Sequence, residues 1–77
     1  MINLKNIRKV DGNILCDAFP EDCGVPVPLV LNVKNETVSP YTLPDGYEWC
    51  MSHIEHAKRF LLSVSDKLPK EFLLMWY

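Results

Sequence analysis

The first twenty residues contain two strand-like segments, and the second of them alternates with the two-residue period of a β-strand. Segments 4–10 and 13–19 are separated by Asp11-Gly12. This dipeptide favours a tight hairpin, because both central positions of a type I′ turn need positive φ. The second segment has two distinct faces, which carry Ile14, Cys16 and Ala18 on one side and Leu15, Asp17 and Phe19 on the other.

A third alternating segment covers residues 27–33, and a short fourth strand is expected at 36–38. Pro26 and Pro28 have no amide hydrogen to donate, so we expect the third strand to begin at a sheet edge or outside the ladder. Ser, Pro and Gly residues in the stretch that follows predict a loop over 39–46.

Apolar residues then recur at spacings of four and three, which predicts a helix with one continuous apolar stripe. The helix has two alternative starts, at Asp45 and at Ser52, because each of these residues precedes a Glu by three residues as in a capping box. Pro69 is expected to end the helix, because the residue before a proline disfavours the α region. The stripe consists of Cys50, Ile54, Ala57, Leu61, Val64 and Leu68.

The last segment, 72–77, is apolar on both alternating faces and predicts a final strand buried on two sides. We favour its pairing with the first strand, which would place the terminal aromatic residues in the middle of the sheet. The pattern as a whole predicts one α+β domain over residues 1–77. It consists of a small antiparallel sheet of three to five strands, packed against one helix in the C-terminal half.

A single helix can cover only one face of a sheet, so the second face is expected to expose a large apolar patch. Such a patch is typical of a partner surface, and large aromatic residues dominate interface energetics. We therefore predict a non-catalytic interaction module that forms a homodimer or binds a protein partner through Phe19, Val30, Trp76 and Tyr77. The alternative is that loop 39–46 folds over this face.

Charge and composition narrow the choice of partner. The formal net charge is −2, whereas a nucleic-acid surface needs clustered Lys and Arg. Lys58 and Arg59 beside aromatic residues could face RNA, but the overall acidity favours a solvated helix face, so no nucleic-acid partner is expected. No apolar run is long enough to span a bilayer, and the first ten residues do not form a signal peptide. The chain is therefore expected in the cytoplasm and not in a membrane.

Three cysteines cannot all pair within one chain, and without a signal peptide their thiols are expected to be reduced. Cys16 lies in the alternating segment and is expected to be a small core residue. His53 and His56 lie on neighbouring turns of the helix, with Cys50 one turn before them, so a metal- or thiol-dependent site is the alternative function. No CxxC or HExxH spacing supports this site, and no cofactor is expected.

The chain contains, in this order, a short Ile-rich strand, the turn at Asp11-Gly12, a strand over 14–19 followed by Pro20-Glu21, the helix segment 56–59, and a terminus with 69–71 and 75–77. This order of segments resembles a family of small uncharacterised bacterial proteins of about 75–80 residues. The resemblance extends over nearly the whole chain, and its most specific parts are the helix segment and the terminus. It implies a free-standing bacterial protein, and it assigns no activity and no site residues.

Overall fold

The computed structural model describes residues 1–76, which form a five-stranded antiparallel sheet and one α-helix. The strand order is β4-β3-β2-β1-β5, and every neighbouring pair is antiparallel. The predicted α+β class is therefore confirmed. The elements are β1 (Ile2–Val10), β2 (Asn13–Pro20), β3 (Val27–Asn32), β4 (Thr37–Val38), a 3₁₀ turn (Glu48–Cys50), α1 (Met51–Ser63) and β5 (Phe72–Leu74).

The predicted hairpin forms at Asp11-Gly12, where φ is 51° and 81° respectively. Val10 pairs with Asn13 across this turn, and the pairing continues to Ile2 opposite Pro20. The register shifts once, between Lys5 and Arg8, where Asn6 adopts a φ of 56°. This bulge keeps Ile7 in the core and turns both Lys5 and Arg8 to the other side of the sheet.

The core lies between one face of the sheet and the helix. The helix contributes Ile54, Ala57 and Leu61, each no more than 1% exposed. On the second strand, the predicted face with Ile14, Cys16 and Ala18 is buried against this helix. The sheet contributes Ile2, Leu4, Ile7, Ile14, Cys16, Ala18, Val27, Leu29 and Leu31.

The opposite side of the sheet, here called the open face, is not covered by the helix. By alternation it carries residues that are half-buried or exposed. The alternative, that loop 39–46 covers this face, does not hold for its two large side chains, since Tyr41 and Leu43 pack against the core cluster. The open face consists of Asn3, Lys5, Arg8, Val10, Asn13, Leu15, Asp17, Phe19, Pro28, Val30, Asn32 and Leu73.

The helix is shorter than predicted, because it ends at Ser63 and not beside Pro69. Val64 has a φ of −117°, and the N–H groups of Ser65 and Lys67 bond to carbonyls three residues back. These tight turns end the helix before the last part of its apolar stripe. Neither predicted capping box forms at its start, since no side chain caps either helical segment. None of the helical segments in residues 1–76 is long and apolar enough to cross a membrane.

The last strand pairs with β1 as predicted, with Ile2 opposite Leu74 and Leu4 opposite Phe72. The expectation that it is buried on both sides is wrong, because Phe72 and Leu73 are 41% and 49% exposed. The cause is its position: β5 is a three-residue edge strand, so only β1 flanks it. Trp76 therefore does not lie in the middle of the sheet, and the predicted strand residue Tyr77 lies outside the described residues.

Candidate functional site

Phe19 and Val30 lie on the open face, as predicted. Val30 is directly opposite Leu15 on the neighbouring strand, and Phe19 is opposite Asn3. Both predicted residues are half-buried, and Leu73 next to Asn3 is half exposed. The open face therefore carries two apolar groups, one around Leu15 and Val30 and one around Phe19 and Leu73.

A charged row separates these two apolar groups. Lys5 on β1 is directly opposite Asp17 on β2. The Lys5 ammonium also lies 5.9 Å from the centroid of the Phe19 ring, within the range of a cation–π contact. Neither charge is among the ion pairs found within residues 1–76. The open face thus combines apolar surface with one positive and one negative group near its centre.

Trp76 belongs to a different part of the molecule from Phe19 and Val30. Its ring stacks on His56 at a centroid distance of 4.1 Å and meets the edge of His53 at 4.9 Å. Trp76 therefore packs on the helix side of the sheet. The structure places Trp76 apart from Phe19 and Val30, because alternation along the last segment directs Trp76 away from the open face.

The helix carries a second stripe that the sequence interpretation missed. Trp49, His53, His56 and Phe60 recur at spacings of four, three and four. Trp49 packs edge-on against His53 at 5.3 Å, and Phe60 stacks on Phe72 at 4.3 Å. Together with Trp76 these residues form an aromatic row along one flank of the helix. Their helical spacing could have revealed the stripe, but the neighbouring aliphatic stripe is more regular.

His53 is the buried polar residue of this row, with 7% of its surface exposed. Its Nε2 donates a hydrogen bond to Glu21 Oε2 at 2.8 Å, since an ionised carboxylate can only accept. The same oxygen accepts a bond from the α-amino group of Met1. The Nδ1 atom of His53 is buried without a hydrogen-bond partner among the described residues. Glu21 therefore fixes the imidazole between Trp49 and Trp76.

These two hydrogen bonds, first from the Met1 amine and then from His53, lower the pKa of Glu21 from its usual 4.5. A lowered folded-state pKa contributes stability above pH 4.5 and loses it as the pH falls through the folded pKa. We therefore expect Glu21→Gln to flatten the dependence of unfolding free energy on pH below 4.5, measured by urea denaturation followed by tryptophan fluorescence.

The matched control is Glu71→Gln, which changes an exposed carboxylate in the same way. This control should keep the acid dependence of the original protein. If unfolding free energy falls equally steeply with decreasing pH in the Glu21 variant and in the original protein, Glu21 is not the group that causes the acid dependence.

The metal interpretation finds no support in the positions of its proposed ligands. His56 stacks on Trp76, whereas His53 is bonded to Glu21, and Cys50 is fully buried. Among residues 1–76, no group of three or more His, Cys, Asp or Glu side chains is placed to hold a metal ion. The two histidines instead serve as ring contacts in the aromatic row.

The cysteines are buried free thiols. Burial, with a contribution from Asp17 and an opposing one from Arg8, raises the pKa of Cys16 to about 11. Burial is also the main cause that raises the pKa of Cys50, and Glu21 adds to it. Because the thiolate is the reactive form, these environments do not favour nucleophilic chemistry at neutral pH.

Compared with known proteins, the chain matches no family model, no curated protein and no solved structure.

Proposed function

We propose that this protein is a non-catalytic interaction module that self-associates through the open face of its sheet. The carrying observation is that the helix covers only one side of the sheet, while the other carries two apolar groups, Leu15 with Val30 and Phe19 with Leu73. Large apolar groups that are incompletely covered in a single chain are typical of protein–protein interfaces.

The chemistry of this face favours a second copy of the same chain as the partner. A two-fold interface brings identical patches together, so it must be complementary to itself. The open face meets this condition, because its central row contains one Lys5 and one Asp17 side by side on neighbouring strands. A two-fold axis that runs along the strands between β1 and β2 would place Lys5 of one copy opposite Asp17 of the other.

The size of the face is also suitable. The two longer extents of the molecule are 32 and 23 Å, so one whole side of the molecule has an area of the order of the ~800 Å² that each partner buries in a standard interface. The interface would be mixed in character, with apolar groups on both sides of a charged centre. We place this module in the cytoplasm, since its three free cysteines suit a reducing compartment.

Phe19→Asp is expected to weaken self-association by about thirtyfold, the effect typical of losing an interface anchor. Sedimentation velocity at micromolar concentrations should show a species of twice 8.9 kDa for the original protein and a shift towards 8.9 kDa for the variant. The control is Val25→Asp, which introduces the same charge at a residue that is 58% exposed between β2 and β3. A purely 8.9 kDa species for the original protein would overturn the proposal.

Charge reversal tests the geometry of the dimer more specifically. Lys5→Asp and Asp17→Lys should each weaken association, because each variant carries two like charges at the centre of the face. An equimolar mixture of the two variants should associate again, since each supplies the charge that the other has lost. A mixture that remains monomeric would exclude the predicted pairing. The effect of each substitution on its own chain is the same in the mixture as in the single variant, so only a contact between the two chains can restore association.

A further inference from the structure

A groove of about 500 Å³ lies on the helix side, away from the open face. One wall is the loop that precedes the 3₁₀ turn, and the other is the beginning of the helix. Its volume lies in the range of recognised ligand sites. Its walls are mostly apolar and are formed by Pro40, Tyr41, Thr42, Leu43, Glu48 and Met51.

The groove has apolar side chains that are already held in position. Tyr41 and Leu43 pack with one side against the core. Met51 is 63% exposed at the start of the helix, and its flexible thioether can adapt to different partners.

The charge around the groove is negative. Glu48 belongs to its wall, and both of its carboxylate oxygens accept the Gly46 N–H at 3.0 and 3.2 Å. Burial first, and then the negative charge of Glu55, raise the pKa of the Tyr41 phenol, so Glu55 also acts on this site. Lys58 pairs with Glu55 at 3.5 Å, but no Lys or Arg is among the groove's lining residues.

The geometry points to a docking site for a short extended protein segment that presents an apolar side chain next to a Lys or Arg. The apolar side chain would lie between Leu43 and Met51, and the cation would lie near Glu48. A peptide fits better than a small molecule, because Pro40, Thr42, Glu48 and Met51 are all exposed and form an open channel. The charge of Glu48 selects a basic segment and disfavours an acidic one.

Three hexapeptides test this proposal: alternating leucine and lysine, alternating leucine and glutamate, and alternating glycine and lysine. The leucine–lysine peptide should bind at least tenfold more tightly than either of the others, measured by titration with ¹⁵N–¹H correlation spectra. The largest shifts should fall on residues 41–43, 48 and 51. Shifts confined to the open face, or equal binding of the leucine–glutamate peptide, would overturn it.

Two variants with matched controls complete the test. Met51→Ala should weaken binding of the leucine–lysine peptide about tenfold, whereas Met75→Ala, at a residue that is 49% exposed elsewhere, should leave it unchanged. Glu48→Gln keeps an oxygen for the Gly46 N–H and removes the charge, so it should weaken binding severalfold, with Glu71→Gln as control. Phe19→Asp should bind the peptide normally, so failure of self-association and failure of this groove are distinguishable.

Discussion

Leu61→Ala is expected to lower the free energy of unfolding by about 3 kcal/mol, the middle of the range for leucine in a core. Leu61 is 1% exposed and packs between the helix and the sheet. In a chain of 77 residues the total stability is of the order of 4–12 kcal/mol, so this single change removes a large share of it. Urea denaturation followed by circular dichroism measures the loss.

The matched control for this prediction is Met51→Ala on the same helix. Met51 is 63% exposed, so its truncation should change the free energy of unfolding by no more than about 0.5 kcal/mol. Comparable losses in the two variants would contradict a core located between α1 and the sheet.

His53→Ala is expected to cost about 3 kcal/mol of unfolding free energy, similar to the loss of other buried rings. The substitution removes a ring that lies against both Trp49 and Trp76, and it breaks the hydrogen bond to Glu21. The His53 ring is only 7% exposed, so its removal leaves a cavity, and the hydrogen bond to Glu21 is lost in addition. Urea denaturation at pH 7 measures this effect.

His56→Ala provides the comparison within the same aromatic row. His56 is half-buried and contacts Trp76 through ring stacking, which is worth about 0.5–1.5 kcal/mol beyond its burial. We therefore expect its loss to be less than half that of His53→Ala. Equal losses would mean that the bond to Glu21 and the burial of His53 contribute little.

Much of the fold follows from local sequence signals. The Asp11-Gly12 turn identifies the hairpin. The alternation of β2 identifies the face of the sheet on which Ile14 and Cys16 lie. The spacing of Ile54, Ala57 and Leu61 likewise identifies the helix face that is buried. These signals are reliable because each depends on a backbone period that neighbouring residues repeat.

The side-chain positions that could not be predicted from the sequence depend on contacts between distant segments of the chain. Trp76 has an apolar pattern compatible with either side of the sheet, and its place beside His56 is decided only when the end of the chain meets the helix. Glu21 follows a turn signal at Pro20, and nothing local shows that it reaches His53 thirty-two residues later. The predicted helix end at Pro69 is wrong because tight turns after Ser63 interrupt an apolar period that continues in the sequence.

The pairing of β1 with β5 joins the two segments that are farthest apart in the chain. Closing so long a loop is entropically costly, whereas the hairpin between β1 and β2 brings near neighbours together and can form early. We therefore expect β5 to dock last during folding. Since Trp76 lies just beyond β5, the His53 ring gains its contact with Trp76 only at that final step, and the burial of its imidazole reports the completion of the native state.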